Sequence, residues 1–243
     1  MTRWGVALLA TAALLLAACT DGARDAEDKP LTVFAAASLA APFETLAAEQ
    51  EVNFSFGGSS GLVDQLQGGA PADVFASADQ RTMDRAVEAG VIAGEPSQFA
   101  ENHLVLVTPA DNPAGVTGLD DSLDAARLVV CAAEVPCGSA TQRLAEANEV
   151  VLQAVSEELS VTDVLGKVTS GEADAGFVYR TDALGAGDAV AVIDLPGAAK
   201  DPNTYWIAAV KGGDLEGARK FIERVQGEGQ EVLEAHGFAI QND

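Results

Sequence analysis

Positive charge is scarce in this chain. Its 243 residues hold 14 Lys and Arg against 37 Asp and Glu, a formal net charge of −23 at pH 7. So acidic a surface excludes nucleic acid and anionic membrane as binding partners, because both would repel it. Histidine and cysteine are also rare, with two and three residues. A structural zinc site takes four such ligands. No further Cys or His lies near the one close pair, Cys131 and Cys137, so no residue is expected to ligate a metal cation. Beyond residue 18 no apolar run is long enough to span a bilayer, which takes about 20 residues. Internal repeats and low-complexity segments are absent.

The N-terminus reads as an export signal. Arg3 supplies the positive start, and Trp4 to Ala18 is an apolar run ending in small residues, short for a membrane span. The stretch closes on Leu16-Ala17-Ala18-Cys19, which resembles the lipobox of bacterial lipoproteins. That resemblance implies cleavage before Cys19 and a lipid on its thiol; an ordinary secretory signal is the alternative. Residues 1–18 are then the signal peptide and 19–30 a polar tether without apolar periodicity. Removing the signal leaves 225 residues with 13 Lys and Arg against 37 Asp and Glu, a net charge of −24. That length buries a large core in one or two lobes. Outside the cytoplasm, Cys131 and Cys137 are spaced to close a disulfide, with free thiols as the other state.

From Leu31 onward, short β-rich runs alternate with helical patterns, which makes the fold class α/β. Strands are expected at 31–35, 52–56, 73–76, 103–107, 128–131, 176–179, 189–195 and 205–210. Helices are expected after Ser38, after Gly61, over 79–89, after Cys137, from Ser160, and last from Asp214, whose Leu215, Ala218, Ile222 and Val225 share a face. The Pro-, Gly- and Asp-rich stretch 108–121 reads as a passage into a second lobe.

One arrangement recurs: a Ser or another small residue sits where a strand hands over to a helix. Ser38 reads as an N-cap, Ser59 and Ser60 lie in a glycine-rich turn, and Cys137-Gly138-Ser139 begins a third helix. Ser160 and Asp163 form a capping-box pattern that puts Val161 in the first turn of a fourth. Amides there have no partner within the helix, and the helix dipole places partial positive charge beside them. Converging helix starts bind an anion without any cationic side chain. In open α/β sheets these turns line the ligand crevice.

Taken singly, each is an ordinary cap, and Tyr179 an ordinary packing residue. Val33 to Leu39, Phe56 to Leu62, Gly69 to Gln80, Val135 to Gly138 and Gly176 to Ala183 together resemble the periplasmic molybdate-binding proteins, in matching order from Leu31 to the His236-Gly237-Phe238 ending. The resemblance implies a type II periplasmic-binding-protein fold, with two α/β lobes and a ligand cleft between them. The lobes would be 31–102 plus 203–243, and 103–202. It implies no enzyme and no cofactor, but a monomer that takes molybdate or tungstate for an ABC transporter permease at the outer face of the cell membrane. The oxyanion would be held by the Ser38 and Ser59 hydroxyls and amides, the Cys137 and Val161 amides and the Tyr179 hydroxyl. Ser60 is the alternative to Ser59. Cys137 departs from the small residue, such as Ala, usual at its position, which matters little if only its amide donates. Such neutral donors suit a dianion that carries no proton.

Two rivals stand beside this reading. Sulfate, phosphate or an organic anion would use the same kind of site. Gly57-Gly58-Ser59-Ser60-Gly61 also fits the nucleophile elbow of α/β-hydrolases, with His236 in the right order for a secreted serine esterase. Against the esterase, only two strands fit before Ser59, and no HGGG-like segment appears.

Overall fold

The computed structural model describes residues 29–240. The signal, Cys19 and nearly all of the tether lie outside these described residues. The chain runs through β1 (Leu31–Ala36), α1 (Ala40–Leu46), β2 (Val52–Gly57), α2 (Ser59–Gln67), β3 (Val74–Ser77), α3 (Gln80–Glu88) and β4 (Ile92–Asn102). It continues with β5 (Leu104–Pro109), β6 (Leu128–Cys131), α4 (Pro136–Ala147), β7 (Ala154–Glu158), α5 (Val161–Thr169), β8 (Ala175–Tyr179), α6 (Arg180–Ala186) and β9 (Val190–Ile193). It ends with β10 (Asn203–Val210), α7 (Leu215–Gln226) and α8 (Gly229–Ala235).

The strands form two separate five-stranded sheets, ordered β2-β1-β3-β10-β4 and β7-β6-β8-β5-β9. The chain passes from the first to the second at His103, between β4 and β5, and returns over residues 194–202. In the first sheet β1 pairs in parallel with β2 and β3, while β10 runs antiparallel between β3 and β4. The second sheet repeats the plan, with β6 parallel to β7 and β8, and β5 antiparallel to β8 and β9. In both, the parallel strands aim their carboxyl ends, and the helix starts that follow, at one end of the sheet.

Several elements differ from the sequence reading. The stretch 108–121 is no passage between lobes, because it joins β5 to β6 within the second sheet. β4 and β7 were not expected as strands, and both are sheet edges. An edge tolerates Pro96 and Gly94, and β4 departs from regular register against β10 between Tyr205 and Trp206 and between Ile207 and Ala209. The seven-residue helices α6 and α8 were also unread, so α7 is not the last helix.

A ladder of buried rings joins the cores of the two sheets. Phe43 meets Phe99 with centroids 6.1 Å apart, Phe99 meets Tyr205 edge-on at 6.2 Å, and Tyr205 meets Tyr179 edge-on at 5.9 Å. Such pairs add about 0.5–1.5 kcal/mol each beyond their buried area. Behind Tyr179, a Cβ on Gly176 would stand 2.7 Å from Val164 Cγ1, so glycine lets α5 lie close on β8.

Candidate anion-binding site

Ser38, Ser59, Cys137, Val161 and Tyr179 are all buried, with Ser59 and Tyr179 only 1% exposed. Each sits where a strand ends or a helix begins. Ser38 does not cap α1. It lies in the single 3-10 turn 37–39 that follows β1, and Leu39 occupies the capping position without a side-chain bond. Ser59 is the first residue of α2. Cys137 is the second residue of α4, behind Pro136, which is suited to the first turn because it has no amide to leave unbonded. Val161 opens α5, with Ser160 as its cap: Ser160 Oγ accepts the Asp163 amide at 3.3 Å and donates its own proton to Asp163 Oδ2 at 2.7 Å. The helix α5 packs on the 37–39 turn, which brings Val161's element to Ser38's.

The hydrogen bonds decide which hydroxyls have a proton to give. Ser59 Oγ accepts the Ala78 amide at 3.1 Å, which leaves its O–H unspent. Ser60 Oγ instead donates to the Glu134 carbonyl at 2.6 Å. Between the two serines, only Ser59 therefore has a free donor. Tyr179 Oη accepts from Asn203 Nδ2 at 2.8 Å, and Ser38 Oγ lies 2.8 Å from Tyr205 Oη. Burial drives the Tyr179 phenol well above its ordinary pKa, helped by the charges of Asp79 and Asp182 against the opposing pull of Arg143. Burial likewise raises Tyr205. Both phenols are neutral donors at any physiological pH.

The two halves meet closely around this cluster. Gly58, ahead of α2, faces Leu159, ahead of α5. Arg81 Nη2 donates to the Glu134 carbonyl at 3.1 Å across the same junction. Cys131 and Cys137 are joined by a disulfide, with Cα atoms 5.7 Å apart, which ties the end of β6 to the start of α4. Among the described residues no Lys or Arg side chain hydrogen-bonds any of the five. Arg143 is linked to them by hydrogen bonds through Asn203, whose Oδ1 accepts its Nη2 at 3.0 Å. Ser38 also lines a groove of about 680 Å³ together with Thr162, Asp182 and His236. There burial pushes the Asp182 carboxyl up to about 7, while the Tyr179 amide, donating to it at 3.1 Å, pulls the other way.

The profile of the family described as bacterial extracellular solute-binding proteins matches residues 31–239. The chain belongs to that family. A protein of Mycobacterium tuberculosis named molybdate-binding protein ModA is 44% identical over 230 residues, covering 90% of this chain and 86% of that protein. The Escherichia coli protein of the same name is 32% identical over 263 residues, covering 99% and 100%. Among solved structures, the Azotobacter vinelandii periplasmic molybdate-binding protein superposes with a TM-score of 0.74 at 23% identity, covering 87% of this chain and all of that one. The fold of this solute-binding protein is therefore the two-lobe type II arrangement, one five-stranded sheet to each lobe.

Asn102, Asn203 and Tyr205 belong to the cluster and were missed as site residues. Their signal in the sequence was weak. Tyr205 lies in a run that reads simply as a strand, and the two asparagines flank the crossovers, where polar residues are ordinary.

Proposed function

We propose that this solute-binding protein captures molybdate, with tungstate as its near equivalent, outside the cytoplasm and delivers it to the permease of an ABC importer. The observation that carries the reading is the set of unspent donors. The Ser59 and Tyr179 hydroxyls each already accept a bond from the protein, so the proton of each is left to turn to a ligand, and the amides opening α4 and α5 add to them. A proton-free dianion is the partner such a set favours. Each charge-assisted bond contributes roughly 1.5–3 kcal/mol net, and several together offset the ion's desolvation. The names of the relatives supply the choice of molybdate among dianions.

The protein acts as a monomer without a cofactor, and a lipid on Cys19 holds it at the membrane. Among the described residues no helix is long and apolar enough to cross a bilayer. As a carrier it has no catalytic task. The esterase reading needs a strained serine beside His236. Among the described residues the only non-glycine positive φ angles belong to Asn112 and Glu149. The His236 ring lies 3.4 Å from Thr45 Oγ1, while Ser59 takes the Ala78 amide.

Calorimetry with molybdate, tungstate, sulfate and phosphate tests the proposal. Molybdate and tungstate should bind at or below about 1 μM, about −8 kcal/mol, and sulfate far more weakly, because fixed donors cannot close on a smaller ion. Equal affinities for sulfate and molybdate would overturn the choice of ligand. Turnover of activated esters that is lost in Ser59→Ala, with no heat from any oxyanion, would replace the carrier by a hydrolase.

A further inference from the structure

Two asparagines sit at the two passages between the lobes. Asn102 ends β4, Asn203 opens β10, and they are direct partners in the antiparallel ladder. Both are buried, at 2% and 3% exposure. Their amide groups have only one way to face. Asn203 Oδ1 receives Arg143 Nη2 at 3.0 Å, and an arginine can only donate. Nδ2 must then point to the other side, where it meets the Ala78 carbonyl at 3.1 Å, the Pro136 carbonyl at 3.4 Å and Tyr179 Oη at 2.8 Å. Asn102 Oδ1 receives the His103 amide at 3.0 Å, again an obligate donor, so its Nδ2 faces Thr181 Oγ1 at 2.8 Å, while the Asn102 side chain and the Tyr179 hydroxyl both neighbour the Tyr205 hydroxyl.

The consequence reaches the ligand donors. A phenol that accepts from an asparagine keeps its single proton for another partner. Tyr179, with Asn203 on a lone pair, has its proton left for Tyr205 or for a ligand, and Tyr205, with Asn102 on its oxygen, can give its proton to Ser38 Oγ 2.8 Å away, which would free the Ser38 proton in turn. We propose that Asn102 and Asn203 are specificity-determining positioning residues: by fixing the direction of the Tyr179 and Tyr205 hydroxyls they keep every side chain of the site a donor, so the site accepts oxyanions without a proton and rejects those that carry one. This rests on the anion-binding reading of the site. It goes beyond that reading in assigning the selectivity to residues that do not touch the ion.

The test compares two ions of equal charge, so that an added charge on the protein affects both alike. At about pH 8 sulfate and molybdate are bare dianions, whereas inorganic phosphate is a dianion with one proton. In Asn203→Asp the new carboxylate is held ionised by Arg143 and takes the Tyr179 proton, which leaves only lone pairs facing the ion. Binding of the bare dianion should fall on the order of a hundredfold, and its preference over hydrogen phosphate by at least about tenfold. Asn203→Leu, which removes the N–H given to Tyr179 Oη without adding an acceptor, should move the preference the same way by less. In a Tyr179→Phe background Asn203→Asp should leave the preference unchanged, since no hydroxyl remains to orient.

Equal loss for both ions in Asn203→Asp, or an undiminished shift in the Tyr179→Phe background, would overturn the proposal and leave the asparagine a structural link. If Asn203→Asp fails to fold, Asn203→Leu with its Tyr179→Phe control decides by the same criterion. A wild type that binds sulfate in place of molybdate would refute the molybdate assignment alone, and the asparagine test then runs on sulfate. A wild type that binds no oxyanion refutes both.

Discussion

Gly58 lies against Leu159 so closely that a Cβ on Gly58 would stand 2.0 Å from the Leu159 carbonyl oxygen. Gly58 belongs to the first lobe and Leu159 to the second. Its φ of −63° and ψ of 128° suit any residue, so the requirement for glycine comes from the neighbouring lobe and not from the local backbone. Gly58→Ala should therefore fold normally by circular dichroism and fail to close. Its affinity for molybdate should drop on the order of a hundredfold, roughly 3 kcal/mol. Wild-type affinity in this variant would mean that the site works without the close approach.

Ser59→Ala removes one hydroxyl donor and leaves the Ala78 amide without its acceptor, at a cost of about 1–3 kcal/mol in binding. Ser59→Asp should be worse. It replaces the donor by an acceptor and sets a like charge against the ion in a partly desolvated place, so calorimetry should register no binding. The equivalent change at Ser60, whose proton is committed to the Glu134 carbonyl, should cost affinity only through the contact between lobes. A larger loss from Ser60→Ala than from Ser59→Ala would reverse the roles of the two serines.

The disulfide gives the site a dependence on redox conditions. Reduction should lower stability by about 2 kcal/mol, as for a short closed loop. It should also loosen the α4 start, where Cys137 carries its amide and where a Cβ on Gly138 would stand 1.9 Å from the Ala132 carbonyl oxygen. Molybdate affinity measured with and without dithiothreitol should differ by several fold, whereas the Cys131→Ala, Cys137→Ala double variant should not respond to the reagent. Identical affinities of oxidised and reduced protein would show that the helix start holds its place unaided.

Asp182 gives the folded state a defined pH dependence. Its carboxyl is raised from 3.8 to about 7 by burial. Below about pH 4 the group is protonated in both the folded and the unfolded chain. As pH rises toward 7 the unfolded chain gives up this proton and the folded one keeps it, so Asp182's contribution to stability is lost over that window, at no more than about 1.4 kcal/mol per pH unit. Urea denaturation should show wild-type stability falling relative to Asp182→Asn between about pH 4 and 7 and running parallel above. A difference that is flat with pH would mean that the carboxyl is ionised throughout.

Most of the strands that place the site could be read from sequence, because β1, β3, β6 and β8 are interior strands with continuous apolar residues, each followed by a turn that breaks the pattern. The two unread strands, β4 and β7, are edges. An edge strand needs neither a buried face nor a full set of amide partners, so Gly94 and Pro96 in one and Ser156, Glu157 and Glu158 in the other erase the signal. The turn residues at Ser38, Ser59, Cys137, Val161 and Tyr179 stood out through the resemblance rather than through their own chemistry. Ser38 illustrates the limit: read alone it is a helix cap, whereas the fold makes it the partner of Tyr205, 167 positions away. Pairings such as Asn203 with Tyr179, or Asn102 with Asn203, exist only once the second sheet has been inserted into the first, and no local pattern encodes them.

The neutral donors around the site have a bearing on how a cargo ion leaves. Attraction between opposite charges decays slowly with separation, so an arginine-held ion would follow one lobe as the other swung away. Hydrogen bonds depend steeply on both distance and angle. If the ion is held as proposed, with Ser38 and Ser59 on one lobe and Cys137, Val161 and Tyr179 on the other, a modest rotation would misalign half of the grip at a stroke and leave the other half to hold a dianion against water. Unloading would then require neither a competing ion nor a proton, only a torque applied to the two lobes.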